Sequence, residues 1–172
     1  MMQRIAKFEK VSFEQFLEGW TNCFGETPEA EVKSIYDEIK LPKRATSGSA
    51  GYDFYSTTDF ELPPGETIMI PTGIRAKIDN GWVLCLFPRS GLGFKFRLQL
   101  NNTVGIIDSD YYNSDNEGHI FVKLTNDTNV NKTVKLSRGD GFVQGLFMPF
   151  GITLDDEADG VRNGGFGSTG KA

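Results

Sequence analysis

A chain of 172 residues is long enough for one domain with a proper core and short for two. Its 38% hydrophobic content is low for a globular chain and its 20 glycines are many, a profile that short strands joined by glycine turns produce. The net charge of −5 excludes a surface built as a whole for nucleic acid or an anionic membrane, so an anionic ligand needs a locally basic site or a metal ion. No apolar run approaches the ~18 residues of a membrane span. Glu9 and Glu14 among the first apolar residues are unlike a signal peptide, and a soluble, cytoplasmic protein is expected. Cys23 and Cys85 are far apart with apolar neighbours, which predicts two buried thiols rather than a disulfide.

Residues 3–11 alternate loosely and predict an edge strand. Ser12 then opens a capping box with Gln15. Phe13, Phe16, Leu17, Trp20 and Phe24 follow at helical spacing until Gly25 stops the helix. Thr27-Pro28 starts a second helix, with Pro28 at the first helical position, Glu29 and Glu31 in the first turn, and Val32, Ile35, Tyr36 and Ile39 as its apolar face. Pro42 ends it. The two stretches predict a helical hairpin whose aromatics are packing residues.

From Ile39 onward the period becomes strand-like. Segments around 50–56, 59–62, 66–70, 73–78, 82–87, 97–100, 104–107, 119–125, 132–136 and 142–148 carry apolar residues, alternating or continuous. Turns at Pro63-Pro64-Gly65, Asp79-Asn80-Gly81 and Arg138-Gly139-Asp140-Gly141 punctuate them. Many short strands without a βαβ rhythm predict an all-β sandwich or barrel. Residues 151–161 are acidic and turn-rich, and read as an extended connector carrying the C-terminal segment away from the body.

Four stretches carry chemistry that packing does not require. Ser49-Ala50-Gly51-Tyr52-Asp53 sets an acid after small residues, which on its own also reads as a turn cap. Pro88-Arg89-Ser90-Gly91-Leu92-Gly93 follows the apolar run Trp82–Phe87. It combines a cation, a hydroxyl and glycine amides as an anion nest does, yet lacks both the Walker and the dinucleotide fingerprints. Asn102 to Tyr111 brings Asp108 and Asp110 to the end of an apolar run, where a carboxylate can activate water or a carboxylate pair can hold Mg²⁺. His119 is the single histidine and reads as a packing or surface residue, which leaves no Ser-His-Asp arrangement. The last ten residues hold four glycines, Phe166, Ser168, Thr169 and Lys171 after Arg162: a ring to stack on a base, with hydroxyls and cations for phosphate.

In order, Ala50-Gly51-Tyr52-Asp53, Pro88-Arg89-Ser90-Gly91-Leu92-Gly93, Gly105-Ile106-Ile107-Asp108-Ser109-Asp110-Tyr111, Arg138-Gly139-Asp140-Gly141-Phe142-Val143-Gln144 and Gly165-Phe166-Gly167-Ser168-Thr169-Gly170 resemble the five motifs of trimeric dUTP pyrophosphatases, from about Lys40 to the end of the chain. Two features depart from the family pattern. Gly141 stands where the family usually has arginine, and the helical hairpin at 12–40 is an insertion before the first motif.

The resemblance implies a single domain over residues 1–172. Its fold would be mainly β, a jelly-roll-like barrel with the inserted hairpin near the N-terminus and a flexible C-terminal arm over 151–172. The activity implied is Mg²⁺-assisted hydrolysis of dUTP to dUMP and pyrophosphate, which limits uracil incorporation into DNA and supplies dUMP for dTMP synthesis. Asp108 would be the base on the attacking water, and Asp53 would reach Mg²⁺ through water. Arg89, Ser90, Gly91 and Gln144 would bind phosphate. Asn102 and the backbone of Gly105 would read uracil, and Tyr111 would pack on deoxyribose. Arg162, Ser168 and Thr169 would hold the distal phosphates, while Phe166, with Gly167 beside it, would close on the base as a lid. A homotrimer with shared sites is implied, with no stable nucleic-acid partner. Two other readings remain at this stage: a dCTP deaminase-like enzyme, and a regulatory module docking a protein partner through residues 12–40.

Overall fold

The computed structural model describes residues 3–164. The apolar run after Asp79-Asn80-Gly81 becomes strand β7 (Trp82–Pro88), the organising element of the β body. It lies between β12 (Gly141–Pro149) and β9 (Gly105–Ile107) in a five-stranded sheet. With β3 (Tyr52–Tyr55) and β2 (Lys43–Arg44), the strand order is β2-β3-β12-β7-β9, every neighbouring pair antiparallel.

Three smaller sheets cover the rest of the core. They are β5 (Thr67–Pro71), β10 (Phe121–Asn126) and β8 (Leu98–Leu100) in the order β5-β10-β8; β1 (Ala6–Lys10) with β6 (Ile74–Ile78); and β4 (Phe60–Leu62) with β11 (Val134–Leu136). β10 shows why the pattern folds this way: Val122 and Leu124 are fully buried and Lys123 between them is exposed, the period of a sheet with one wet face. Phe54, Ile70, Leu84, Leu86, Leu98, Ile120, Leu124 and Phe142 fill one continuous core. Buried Asn126 donates to the carbonyls of Leu62 (2.8 Å) and Lys132 (2.9 Å) and thereby ties two loops to that core.

The insertion is a helical hairpin, α1 (Phe13–Phe24) and α2 (Glu29–Glu38). The Ser12 hydroxyl accepts from the Gln15 amide at 3.1 Å, as a capping residue should. The return half of the capping box is made differently: the Glu117 carboxylate, from a distant loop, takes both the Ser12 amide (2.7 Å) and its hydroxyl (2.6 Å). Pro28 is the capping residue of α2 rather than its first helical residue. Val11, Phe16, Trp20, Val32 and Ile35 form a second buried cluster.

His119 stitches this cluster to the body. It is fully buried, accepts from the Gly73 amide at Nε2 (2.9 Å), and lies between the rings of Phe16 and Phe121. A Cβ at Gly19 would stand 2.8 Å from His119 Cε1, so only glycine lets α1 approach this closely. The expected packing role for His119 holds. The hairpin's apolar face is spent on intramolecular contacts, which removes the sequence feature that favoured a docking module.

The sequence pattern did not forecast β2, the short helix α3 (Ser90–Phe96) or the 3-10 turn Ser109–Asn113. α3 carries two glycines, and its apolar face is the single i, i+4 pair Leu92 and Phe96, half-buried on the core, too short a signal to reveal it. Both cysteines are free; Cys85 is buried and Cys23 half-buried, where burial pushes its thiol up to about 11. No described helix is long and apolar enough to cross a membrane.

Candidate active site

β7 carries the motif residues of the sequence at its two ends. At the Leu84 end it pairs with β9, Leu84 opposite Ile107 and Leu86 opposite Gly105. The missing side chain of Gly105 allows this approach, since a Cβ there would stand 3.1 Å from that of Leu86. β9 ends at Ile107, and the extended backbone of Asp108 then starts the 3-10 turn that carries Asp110 and Tyr111. Tyr111 is buried, donates its hydroxyl to the His119 carbonyl (2.7 Å) and accepts from Asn116 (2.8 Å), so its ring is held from below. Burial pushes its hydroxyl up.

Above this floor lies a cavity of about 200 Å³ lined by Asn102, Val104, Ile106, Ile107, Asp108, Tyr111 and Arg162. Arg162 closes one side. Its Nη2 donates to Asp108 Oδ2 at 2.6 Å and its Nε to Asp110 Oδ1 at 2.9 Å, with the guanidinium 5.9 Å from the Tyr111 ring centre. The connector over 151–161 therefore does not lead away from the body, as expected, but brings Arg162 back to its own chain's carboxylates. The Asp115 amide donating to the Asn163 carbonyl (3.3 Å) holds this return. Asp110 joins the cavity through Arg162, and Val104 and Ile106 are apolar walls that the sequence reading missed; their alternation along 104–107 is the signal that could have found them.

The other end of β7 leads into Arg89. Here Asp53 on β3 pairs in register with Gln144 on β12, which in turn faces Phe87. Arg89 Nε meets Asp53 Oδ1 at 3.2 Å, and its Nη1 donates to the Gly141 carbonyl at 3.2 Å. Gly51 leaves room for the Gln144 amide, whose oxygen lies 2.6 Å from where a Cβ would stand. Ser90 and Gly91 are exposed beside Arg89.

The predicted residues therefore gather into two groups rather than one. Asn102, Gly105, Asp108, Tyr111 and Arg162 surround or back the cavity at one end of β7, and Asp53, Arg89, Ser90, Gly91 and Gln144 cluster at the other. Asp108 lies just beyond the residue opposite Leu84, six positions along β7 from Arg89, or about 20 Å at a strand's rise per residue. Phe166, Gly167, Ser168 and Thr169 lie outside the described residues. Among the described residues no three His, Cys, Asp or Glu side chains converge as a metal cluster. Asp53 offers one hard carboxylate shared with Arg89, a donor that fits Mg²⁺ through water while other oxygen ligands come from phosphate.

A mainly β, jelly-roll-like body thus carries a carboxylate-lined cavity and, at the other end of one strand, an anion-type site around Arg89. The dUTPase family model matches residues 37–170. A deoxyuridine 5'-triphosphate nucleotidohydrolase of Lactococcus lactis subsp. lactis is 46% identical over 135 residues, covering 77% of this chain and 89% of that protein. Another, from Dictyoglomus turgidum, is 38% identical over 148 residues, 81% of this chain and 96% of its own. Among solved structures, the crystal structure of dUTPase from Streptococcus mutans superposes with a TM-score of 0.59 at 46% identity, over 68% of this chain and 91% of that one. The chain belongs to the dUTPase family.

Proposed function

We infer that the chain hydrolyses dUTP to dUMP and pyrophosphate at sites shared between subunits of a homotrimer. The observation that supports this reading best is the division of the motif residues between the two ends of β7. The backbones of Asp108 and Arg89 of one chain stand about 20 Å apart along β7, far from side-chain contact with each other. A nucleotide can touch both if a neighbouring copy presents its Arg89 end to this chain's Asp108 cavity, as a cyclic assembly allows. Met148, Phe150, Ile152 and Leu154 support an oligomer further: every second residue from the end of β12 into the connector is a large, exposed hydrophobe.

On this reading uracil and deoxyribose enter the Asn102–Tyr111 cavity. Asn102 and the backbone near Gly105 read the base edge, and Tyr111, fixed by His119 and Asn116, packs on the sugar. Rejection of thymine requires the apolar walls to close on C5 of the base, and cytosine presents mismatched donors and acceptors. Arg89, Ser90, Gly91 and Gln144 of the neighbouring copy bind the phosphates. Asp108 takes a proton from water as its oxygen attacks the α-phosphorus. The bond from that phosphorus to the bridging oxygen breaks, and pyrophosphate leaves. Mg²⁺, contacted through water by Asp53, supplies charge neutralisation for the triphosphate when bound.

Arg162 has two sets of partners on this account. While its guanidinium sits on Asp108, one carboxylate oxygen is occupied; triphosphate competes for the guanidinium and frees it. Phe166, Ser168 and Thr169 then complete closure over the nucleotide. Incubating the purified protein with dUTP and with dCTP, and separating products by chromatography, tests the reading. dUMP and pyrophosphate from dUTP alone are expected; a uracil product from dCTP would place the chain with the deaminases.

A further inference from the structure

Gly141, at the position where the family usually carries arginine, is occupied from above by another residue. A Cβ there would stand 2.6 Å from Arg89 Nη1 and 3.2 Å from its Cζ. Arg89 lies across the glycine on its way to Asp53, and a side chain at 141 would displace it. The cation missing from position 141 is supplied nearby from the end of the insertion. A cavity of about 290 Å³ opens where α2 meets the body, its lining including Glu38, Ile39, Lys40, Tyr55, Arg138 and Gly139.

Lys40 lies with its ammonium 5.8 Å from the centre of the Tyr55 ring and 3.7 Å from where a Cβ at Gly139 would be. Tyr55 is the register partner of Gly141. Lys40 makes no ion pair among the described residues, whereas Arg138 keeps one, with Glu38 at 3.2 Å. Two cations against one carboxylate leave this cavity positive on a chain of net charge −5. Burial first, and then Asp53, pushes the Tyr55 hydroxyl up while Arg89 opposes them, so this ring feels both the cavity and the Arg89–Asp53 pair.

We propose that this cavity is an additional anion subsite, contiguous with the Arg89 cluster, which receives a polyphosphate anion through Lys40, Arg138 and the Tyr55 hydroxyl. Pyrophosphate, the leaving group of the reaction, has the charge and size for it. Its substrate assignment rests on the reading above; its anion chemistry does not. Lys40 thereby gives the insertion a role toward the site that its buried aromatics do not provide.

Isothermal titration of the full-length protein with pyrophosphate alone tests the subsite. Wild type binds; Lys40→Ala weakens binding about tenfold, the scale of one charge-assisted contact, and Lys40→Arg recovers most of it. Lys132→Ala, on an exposed loop, removes the same charge and leaves the affinity in place. In steady state, KM for dUTP rises in Lys40→Ala by more than kcat falls. Lys40 is exposed, and an unchanged circular dichroism melt keeps the comparison clean. Pyrophosphate binding that is absent in wild type, or equal in Lys40→Ala, overturns the proposal. Lys40-dependent pyrophosphate binding in a protein that does not turn over dUTP would keep the subsite and remove the assigned reaction.

Discussion

The two ends of β7 are built in opposite ways. At the Leu84 end, Tyr111 is buried and doubly hydrogen-bonded, apolar walls enclose a defined cavity, and the two carboxylates are already paired with Arg162. At the Arg89 end, Arg89, Ser90 and Gly91 are exposed, Asp53 and Gln144 are half-buried, and one ion pair joins Arg89 to Asp53. The first end has the rigidity needed to measure the shape of a base. The second has donors in excess of acceptors, as a surface awaiting phosphate would. The difference underlies the proposal of shared sites: the cavity and the Arg89 group sit at opposite ends of one strand, and a second copy would bring the two together.

Mutations separate these two roles. Asp108→Asn removes the base while leaving the cavity's shape, and should lower kcat by ~10²-fold or more with nucleotide binding retained in equilibrium titrations. Near-normal turnover in that variant would refute the assignment of the Leu84 end as the chemical one. Gly141→Arg attacks the other end, since the new side chain must displace the Arg89 guanidinium. A rise in KM of about tenfold, with kcat less affected, is expected from loss of a charge-assisted phosphate contact. A variant with lowered KM would show that Arg89 tolerates the family residue and that Gly141 does not position it.

Acid should act on one end only. His119 accepts from Gly73 as a neutral ring, and burial, opposed by the nearby Glu117 carboxylate, lowers its pKa to about 4. The unfolded chain binds this proton near pH 6.5, so the native state binds fewer protons between the two values. Its stabilising contribution is complete above pH 6.5 and is lost as pH falls toward 4, by up to about 3 kcal/mol. Because the His119 carbonyl anchors Tyr111, the loss reaches the base cavity through the hairpin seam. Urea midpoints measured from pH 7.5 to 4.5 should fall more steeply in wild type than in His119→Gln; parallel curves would contradict the role of the neutral ring.

The β architecture was legible because alternation and turn chemistry agree, as in Val122 and Leu124 with exposed Lys123 between them. The motifs were legible as residue types in order. Their division between two ends of one strand was not, because it depends on the pairing of Leu84 with Ile107 and of Gln144 with Phe87, contacts between segments far apart in sequence. α3 was hidden for the opposite reason: only Leu92 and Phe96 of its seven residues pack on the core, too short an apolar pattern to mark a helix. The return of Arg162 to Asp108 and Asp110 was hidden in a polar, glycine-containing connector that has no periodicity at all. Glu117 completing the cap at Ser12 is likewise a tertiary answer to a local question.

Shared sites can be tested by mixing two inactive proteins. Asp108→Asn lacks the base but keeps the Arg89 end, and Arg89→Ala keeps the base but lacks the phosphate cluster. When the two are refolded together in equal amounts, random assembly should make about a quarter of all sites from one intact Asp108 end and one intact Arg89 end. Turnover of dUTP should then recover to about a quarter of the wild-type value. A mixture no more active than the mean of the two variants alone would show that both ends act within a single chain.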